Sequence, residues 1–220
     1  TGILMALRVR ERTGIGQYID VSMLDSMISA MASNYANYLG SGTVPKPMGT
    51  AFATIVPYAT FPTSDRPVAI AVASEKLWAA FCTAVEKPEW AADPRYASNP
   101  LRVANRNTLE PAIADTLRTR TAAEWAPIFR AHGIPCTPVR TLEEVVNDPQ
   151  AEARNMFPTV QHSDAGPIQV TGVPIKLSET PGSIDSAAPL QGEHTRAVLT
   201  QWLGLTRDEL DMLTAARIIA

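Results

Sequence analysis

The sequence predicts a mixed α/β protein on three observations. Apolar residues recur at helical spacing in several segments, short β-prone runs alternate with them, and glycine, proline and capping residues mark the boundaries. With 220 residues, 45% of them hydrophobic, the chain can bury a substantial core as one large or two small domains.

The first helix is carried by Ile3, Leu4, Ala6 and Leu7 and runs to Arg12. Gly14 follows as its left-handed stop. Tyr18, Ile19 and Val21 then predict a short strand. A dinucleotide fingerprint needs the opposite order, strand then glycines then helix, so the G-x-G of RTGIGQ reads as a helix stop and turn. Ser22 can cap one long helix through Met23, Leu24, Met27, Ile28, Met31, Tyr35 and Tyr38, ending at Gly40 or Gly42. Its apolar residues cover more than one face, as in a helix buried between layers or across a subunit interface. Residues 43–54 (TVPKPMGTAFAT) form a loop and a candidate domain boundary.

Residues 55–62 and 68–73 read as strands joined by a turn at 63–66, and 75–85 returns to helical spacing. Residues 88–100 are turn-rich, and 105–118 and 122–132 are two further helices. Thr121 and Glu124 spell a capping box, as do Thr141 with Glu144 and Thr206 with Glu209. A short strand is expected at 137–139, a helical turn at 150–154 behind Asp148, and short β-prone runs over 157–177. A low-apolar linker at 181–190 precedes a helix pair at 191–203 and 206–213.

A net charge of −3 and scattered basic residues give no footprint for nucleic acid. No apolar run reaches the roughly 18 residues of a membrane helix, so no membrane partner is expected. Cys82 and Cys136 spell neither a redox pair nor a zinc site, and their number fits a reducing cytoplasm. The first residues, Thr1 onward, already lie in mid-helix pattern, which predicts that the sequence is part of a longer protein.

None of His132, His162 and His194 forms the helical i, i+4 pair of a metal site, since Gly133 closes the helix between His132 and Cys136, so no metal site is expected. His132 is better placed to meet the last carbonyls of a helix than to catalyse. Cys136 reads as a half-buried structural thiol, and Asp25 as a helix-dipole partner. Arg102 and Arg106, with Asn105 and Asn107, could clamp a phosphate or carboxylate, but solvated arginines at a helix start are the preferred reading. The loop at Gly49 and Thr50 serves equally well as a ligand contact or a plain connection, since glycine lets backbone approach a substrate.

Five segments in order carry a resemblance: RERTGIGQYIDVSMLDS (10–26), IVPYATFPTSD (55–65), RVANRNTLEPAIADTL (102–117), WAPIFRAHGIPCTPVRTLEEVVNDPQAEARNMF (125–157) and PLQGEHTRAVLTQWLG (189–204). Together they resemble the family III CoA-transferases, which include formyl-CoA and carnitine CoA-transferases and the α-methylacyl-CoA racemases. The resemblance implies the C-terminal half of an interlocked homodimer, or a chain completed by a separate N-terminal half. By it, residues 1–54 are the tail of a Rossmann-like large α/β domain with a linker, 55–180 a smaller α/β domain, and 181–220 a linker and helices returning to the large domain.

The chemistry it implies is CoA transfer between carboxylic acids through an aspartyl anhydride, with an acyl-CoA thioester as substrate and no cofactor. The nucleophilic aspartate would lie before Thr1, so no catalytic residue is assigned and the chain is expected to be inactive alone; Asp20 and Asp25 lie on the wrong side of the turn. Gly49, Thr50 and Phe52 are the implied substrate-binding positions, in a loop that departs from the family's Gly-Asn-x-His-Pro pattern. A racemase half and a non-catalytic binding subunit are the alternatives.

Overall fold

The computed structural model describes residues 1–219, which fall into two compact units, Thr1–Pro138 and Val139–Ala220. The break lies inside the 55–180 segment.

The first unit opens with three helices. Helix α1 (Gly2–Thr13) ends as expected at Gly14, whose φ of 72° is costly for any residue with a Cβ. Residues 15–22 are irregular rather than a strand: among the described residues no other strand pairs with them, and unpaired backbone cannot form a ladder. The expected single helix is two, α2 (Met23–Ala30) and α3 (Ala32–Ser41). Met31 interrupts them with φ −93° and ψ 21°, its N–H shared between the Met27 and Ile28 carbonyls. Ser22 Oγ accepts the Asp25 N–H, and Gly42 ends α3. None of these three helices buries a residue, and Met23 is 87% exposed.

The core begins after the loop. Strands β1 (Tyr58–Phe61), β2 (Val68–Ala71) and β3 (Cys136–Pro138) form an antiparallel sheet in that order. Alternation sends Ala59, Phe61, Val68 and Ile70 inward and leaves Tyr58, Thr60, Ala69, Ala71 and Thr137 on the other face. The hairpin turn is held by Thr63, whose Oγ1 accepts the Arg66 N–H and lies 2.6 Å from Arg66 O. Asp65 Oδ1 accepts the Ala122 N–H at 2.8 Å, tying the turn to α8 (Ala122–Ala131). This bond, first of several, holds the Asp65 carboxyl below its usual range.

Helices α4 (Glu75–Ala84), α7 (Arg106–Leu117) and α8 cover the inner face with Trp78, Phe81, Leu109, Ile113, Leu117, Trp125 and Phe129. Four of these rings form a row: Trp125 lies 5.3 Å from Phe129, Phe129 5.9 Å from Phe81, and Phe81 5.9 Å from Trp78. A guanidinium sits over each end, Arg120 on Trp125 at 4.8 Å and Arg102 on Trp78 at 4.9 Å. The turn-rich segment contains α5 (Pro88–Ala92), a 3₁₀ turn (Pro94–Tyr96) and α6 (Asn99–Ala104).

Arg102, expected to be solvated, is fully buried. Its Nε donates to Val56 O at 2.9 Å, its Nη1 to Tyr96 O at 3.0 Å and to Glu75 Oε2 at 2.8 Å, and its Nη2 to Glu75 Oε1 at 3.2 Å. Helical spacing shows only that Arg102 shares a face with its neighbours; the packing of α4 and the 3₁₀ turn over it decides its burial.

The second unit holds α9 (Leu142–Val146), α10 (Pro149–Ala153), the hairpin β4 (Thr159–His162) with β5 (Gly166–Gln169), and helices α11 (Thr195–Leu203) and α12 (Arg207–Ala215). The capping boxes of Thr121, Thr141 and Thr206 are all formed, because each depends only on residues four apart in sequence or closer. Arg140 pairs with Asp148 and Arg196 with Asp211.

Arg102→Met should strand two buried carbonyls, at about 1–3 kcal/mol each, and lower the urea midpoint of unfolding followed by tryptophan fluorescence. Glu75 is held below its ordinary value of 4.5, first by the Arg102 hydrogen bond. Its contribution is therefore present above pH 4.5 and lost as pH falls through the lower folded value. A midpoint that Arg102→Met leaves unmoved would show that the network is dispensable.

Candidate functional site

The loop carrying Gly49, Thr50 and Phe52 runs along the outer edge of β1, where its residues take the place of a neighbouring strand. In β1 the N–H and C=O of Tyr58 and Thr60 point away from β2 and need partners. Phe52 N–H donates to Tyr58 O at 2.8 Å, and Thr60 N–H donates to Thr50 Oγ1 at 3.0 Å. The threonine hydroxyl thus replaces a backbone carbonyl, and Thr50 Oγ1 also lies 2.6 Å from Thr60 Oγ1. Phe52 stacks on Tyr58 with centroids 5.2 Å apart and an interplanar angle of 17°. Gly49 turns the chain into this position with φ 60°, a conformation that a side chain would strain.

The other end of the loop is fixed from α6 and the start of α7. Asn99 Oδ1 accepts the Val56 N–H at 3.1 Å and its Nδ2 donates to Thr54 O at 2.7 Å. Arg106 Nη2 donates to Phe52 O at 2.6 Å and to Ala53 O at 3.2 Å, while its Nη1 holds Glu110 at 2.7 Å. Arg102 holds Val56 O. The arginines are therefore neither a free anion clamp nor solvated: they anchor the candidate loop. Asn99 and Arg106 were missed as loop anchors, because Asn99 falls in the segment read as turn-rich and Arg106 in a separate helix, α7. Asn105 Nδ2 donates to Arg95 O and Leu101 O, a local role.

The exposed face of the sheet beside this loop is a trough of about 430 Å³, with Ala69 and Ala71 on its floor. Tyr58, Thr60 and Thr50 wall one side, and Thr137 the other. Cys136 sits at its margin, half-buried, and burial pushes its thiol up to about 11. Cys82 lies in the core, where burial pushes its thiol up to about 12. Neither thiol is poised as a nucleophile.

The histidines have local work. His132 Nδ1 donates to Ile128 O at 2.9 Å, the helix-end role expected of it. His162 Nδ1 accepts the Asp164 and Ala165 N–H groups at 3.1 Å. Six carboxylates are held below their ordinary range, first by a structural donor: Arg102 for Glu75, Arg95 for Asp93, and backbone N–H groups for Asp65, Glu124, Glu193 and Glu209.

Residues 1–195 match the CoA-transferase family III, and the chain belongs to that family. It is 32% identical over 219 residues to a succinyl-CoA–D-citramalate CoA-transferase of Chloroflexus aurantiacus, covering 99% of this chain and 54% of that protein. It is 31% identical over 217 residues to the succinyl-CoA:glutarate CoA-transferase of Mus musculus, covering 99% of this chain and 50% of that one. Among solved structures, a CAIB/BAIF family protein from Brucella suis superposes with a TM-score of 0.71 at 33% identity, over 90% of this chain and 51% of its own. The chain spans about half the length of the curated relatives it matches.

Thr50→Val should remove the acceptor of the Thr60 N–H at a cost of about 1 kcal/mol, with faster amide exchange at Thr60. Unchanged exchange there would show that the clasp does not hold the edge. Iodoacetamide at pH 7.5 should label Cys136 slowly and Cys82 only after unfolding, as followed by intact mass; rapid native labelling of both would contradict the burial of the thiols.

Proposed function

We infer that this chain is one half of an acyl-CoA:carboxylate CoA-transferase, containing the loop-and-sheet wall of the substrate site but not the nucleophile. The family match over residues 1–195 carries this reading. The relatives' names point to succinyl-CoA as donor and a small dicarboxylic acid as acceptor. In the reaction so assigned, an aspartate carboxylate attacks the acyl thioester and the thiolate of CoA leaves. The acceptor carboxylate then attacks the aspartyl carbonyl of the anhydride and releases the donor acid as its carboxylate. The CoA thiolate attacks the acceptor's carbonyl in the new anhydride, giving the acceptor's thioester and returning the aspartate.

One observation supports the assignment of the nucleophile to the remainder of the enzyme: the chain matches only about half the length of its relatives. The exposed apolar side chains of α1, α2 and α3, among them Leu4, Leu24 and Met27, support the reading that these helices belong to a large domain completed by the other half or by a second subunit. In that reading residues 55–180 are the small domain, and Gly49, Thr50 and Phe52 face the substrate from its edge.

The purified 220-residue chain should show no CoA exchange between succinyl-CoA and mesaconate or glutarate, and should sediment as a self-associated species. Exchange by the chain alone would overturn the assignment of the nucleophile. A stable monomer would remove the case for covered helices.

A further inference from the structure

We propose that the cleft formed by the ends of α9 and α10 with strand β5, in the second unit, is a recognition site for a primary alkylammonium group, carried by a small amine or by a lysine side chain. Its volume of about 320 Å³ lies within the roughly 300–1,000 Å³ of small-molecule sites. Asn147, Glu152, Asn155 and Gln169 line it, with Val146 and Phe157 as its apolar part.

The cleft is rich in acceptors. Asn147 Nδ2 donates to Glu143 O at 2.9 Å, and Gln169 Nε2 donates to Phe157 O at 3.3 Å. Each bond fixes the carboxamide and leaves its oxygen without a protein partner among the described residues. Glu152 adds a carboxylate that has no hydrogen bond or ion pair among the described residues, and no lysine or arginine lines the cleft. In this it differs from Glu75, Asp93 and Asp148, each of which holds an arginine.

Backbone shapes the cleft. Asn155 takes φ 47°, a left-handed conformation in which asparagine is enriched. Gly172 closes on the same point: its N–H donates to Met156 O at 2.7 Å, and a Cβ there would lie 2.4 Å from Asn155 O. Only glycine allows the two segments this approach.

These features select the ligand. An anion would meet Glu152 with no cation to offset it. Calcium takes about six to eight oxygens, more than one carboxylate and the carboxamides supply. A primary ammonium brings one positive charge and three N–H donors, to match one carboxylate and the free carboxamide oxygens, and its alkyl stem suits Val146 and Phe157. Only residues of the second unit take part, so the site stands whether or not the transferase reading does.

The test uses the 220-residue chain with ¹³C-labelled valine methyls, Val146 reporting on the cleft and the buried Val160 serving as control. n-Butylamine and Nα-acetyl-lysine methylamide, both protonated at pH 7.5, supply the ammonium as a free amine and as a side chain. Tetramethylammonium supplies the same charge without an N–H, and acetate the opposite charge. One or both amines should shift the Val146 methyls in the millimolar range, where Val160 is unmoved and the two controls have no effect. A response to the lysine amide alone assigns the cleft to a lysine of a protein partner, and a response to n-butylamine alone assigns it to a free amine; either supports the site. Glu152→Gln changes an exposed side chain without changing its size, and should weaken binding about tenfold or more, the effect of a hydrogen bond to a charged group. No shift at Val146 with either amine, an equal response to tetramethylammonium, or unchanged affinity in Glu152→Gln would overturn the proposal.

Discussion

The first unit depends on a guanidinium withdrawn from water. Arg102 has no exposed surface, yet each of its interactions is with a segment that would otherwise be loose: the Val56 carbonyl ahead of β1, the Tyr96 carbonyl of the 3₁₀ turn, the Glu75 carboxylate at the start of α4, and the face of Trp78. A buried charge of this kind is tolerated only when partners surround it, and here Glu75 remains 57% exposed, so the pair is desolvated on one side alone. Arginine is suited to the position because its planar fork serves a carboxylate and carbonyls together while its flat face lies on an indole.

Arg102 and its neighbours on α6 and α7 also anchor the candidate substrate loop. Asn99, Arg102 and Arg106 grip the backbone from Phe52 to Val56, and the Thr50 hydroxyl and the Phe52 amide close the outer edge of β1. The loop is thus rigid at both ends, and the edge strand offers no free ladder for another chain. At the opposite edge β3 is three residues long and ends in Pro138, which has no N–H to offer. With one edge occupied by the loop and the other cut short at Pro138, the alanine-floored face is what the sheet presents.

Much of the local structure was legible in the sequence. The capping boxes of Thr121, Thr141 and Thr206, the stop at Gly14, a stop at Gly42 that the sequence offered beside Gly40, and the hairpin into α4 follow from interactions spanning a few residues. The resemblance to the CoA-transferases was legible too, since motif order survives where individual contacts cannot be seen. The residues 18–21 misled because β-propensity describes a fit to a sheet, and no other strand pairs with them among the described residues. The break at Met31 had no glycine or proline to announce it. Of the implied site residues, Gly49 and Thr50 stood out only as a loop whose glycine lets backbone approach a ligand; that Thr50 acts as a surrogate carbonyl required knowing which side of β1 faces outward.

By itself the sequence determined the capping boxes, the turn chemistry and the family, because each is written in short-range pattern or in the order of motifs. Tertiary structure alone decided that Arg102 is buried, that Arg106 holds a loop instead of an anion, and that Thr50 and Thr60 meet on one wall of a trough. These outcomes depend on contacts between residues 10 to 54 positions apart. Such contacts are set by how helices pack over a sheet, and no local periodicity encodes that.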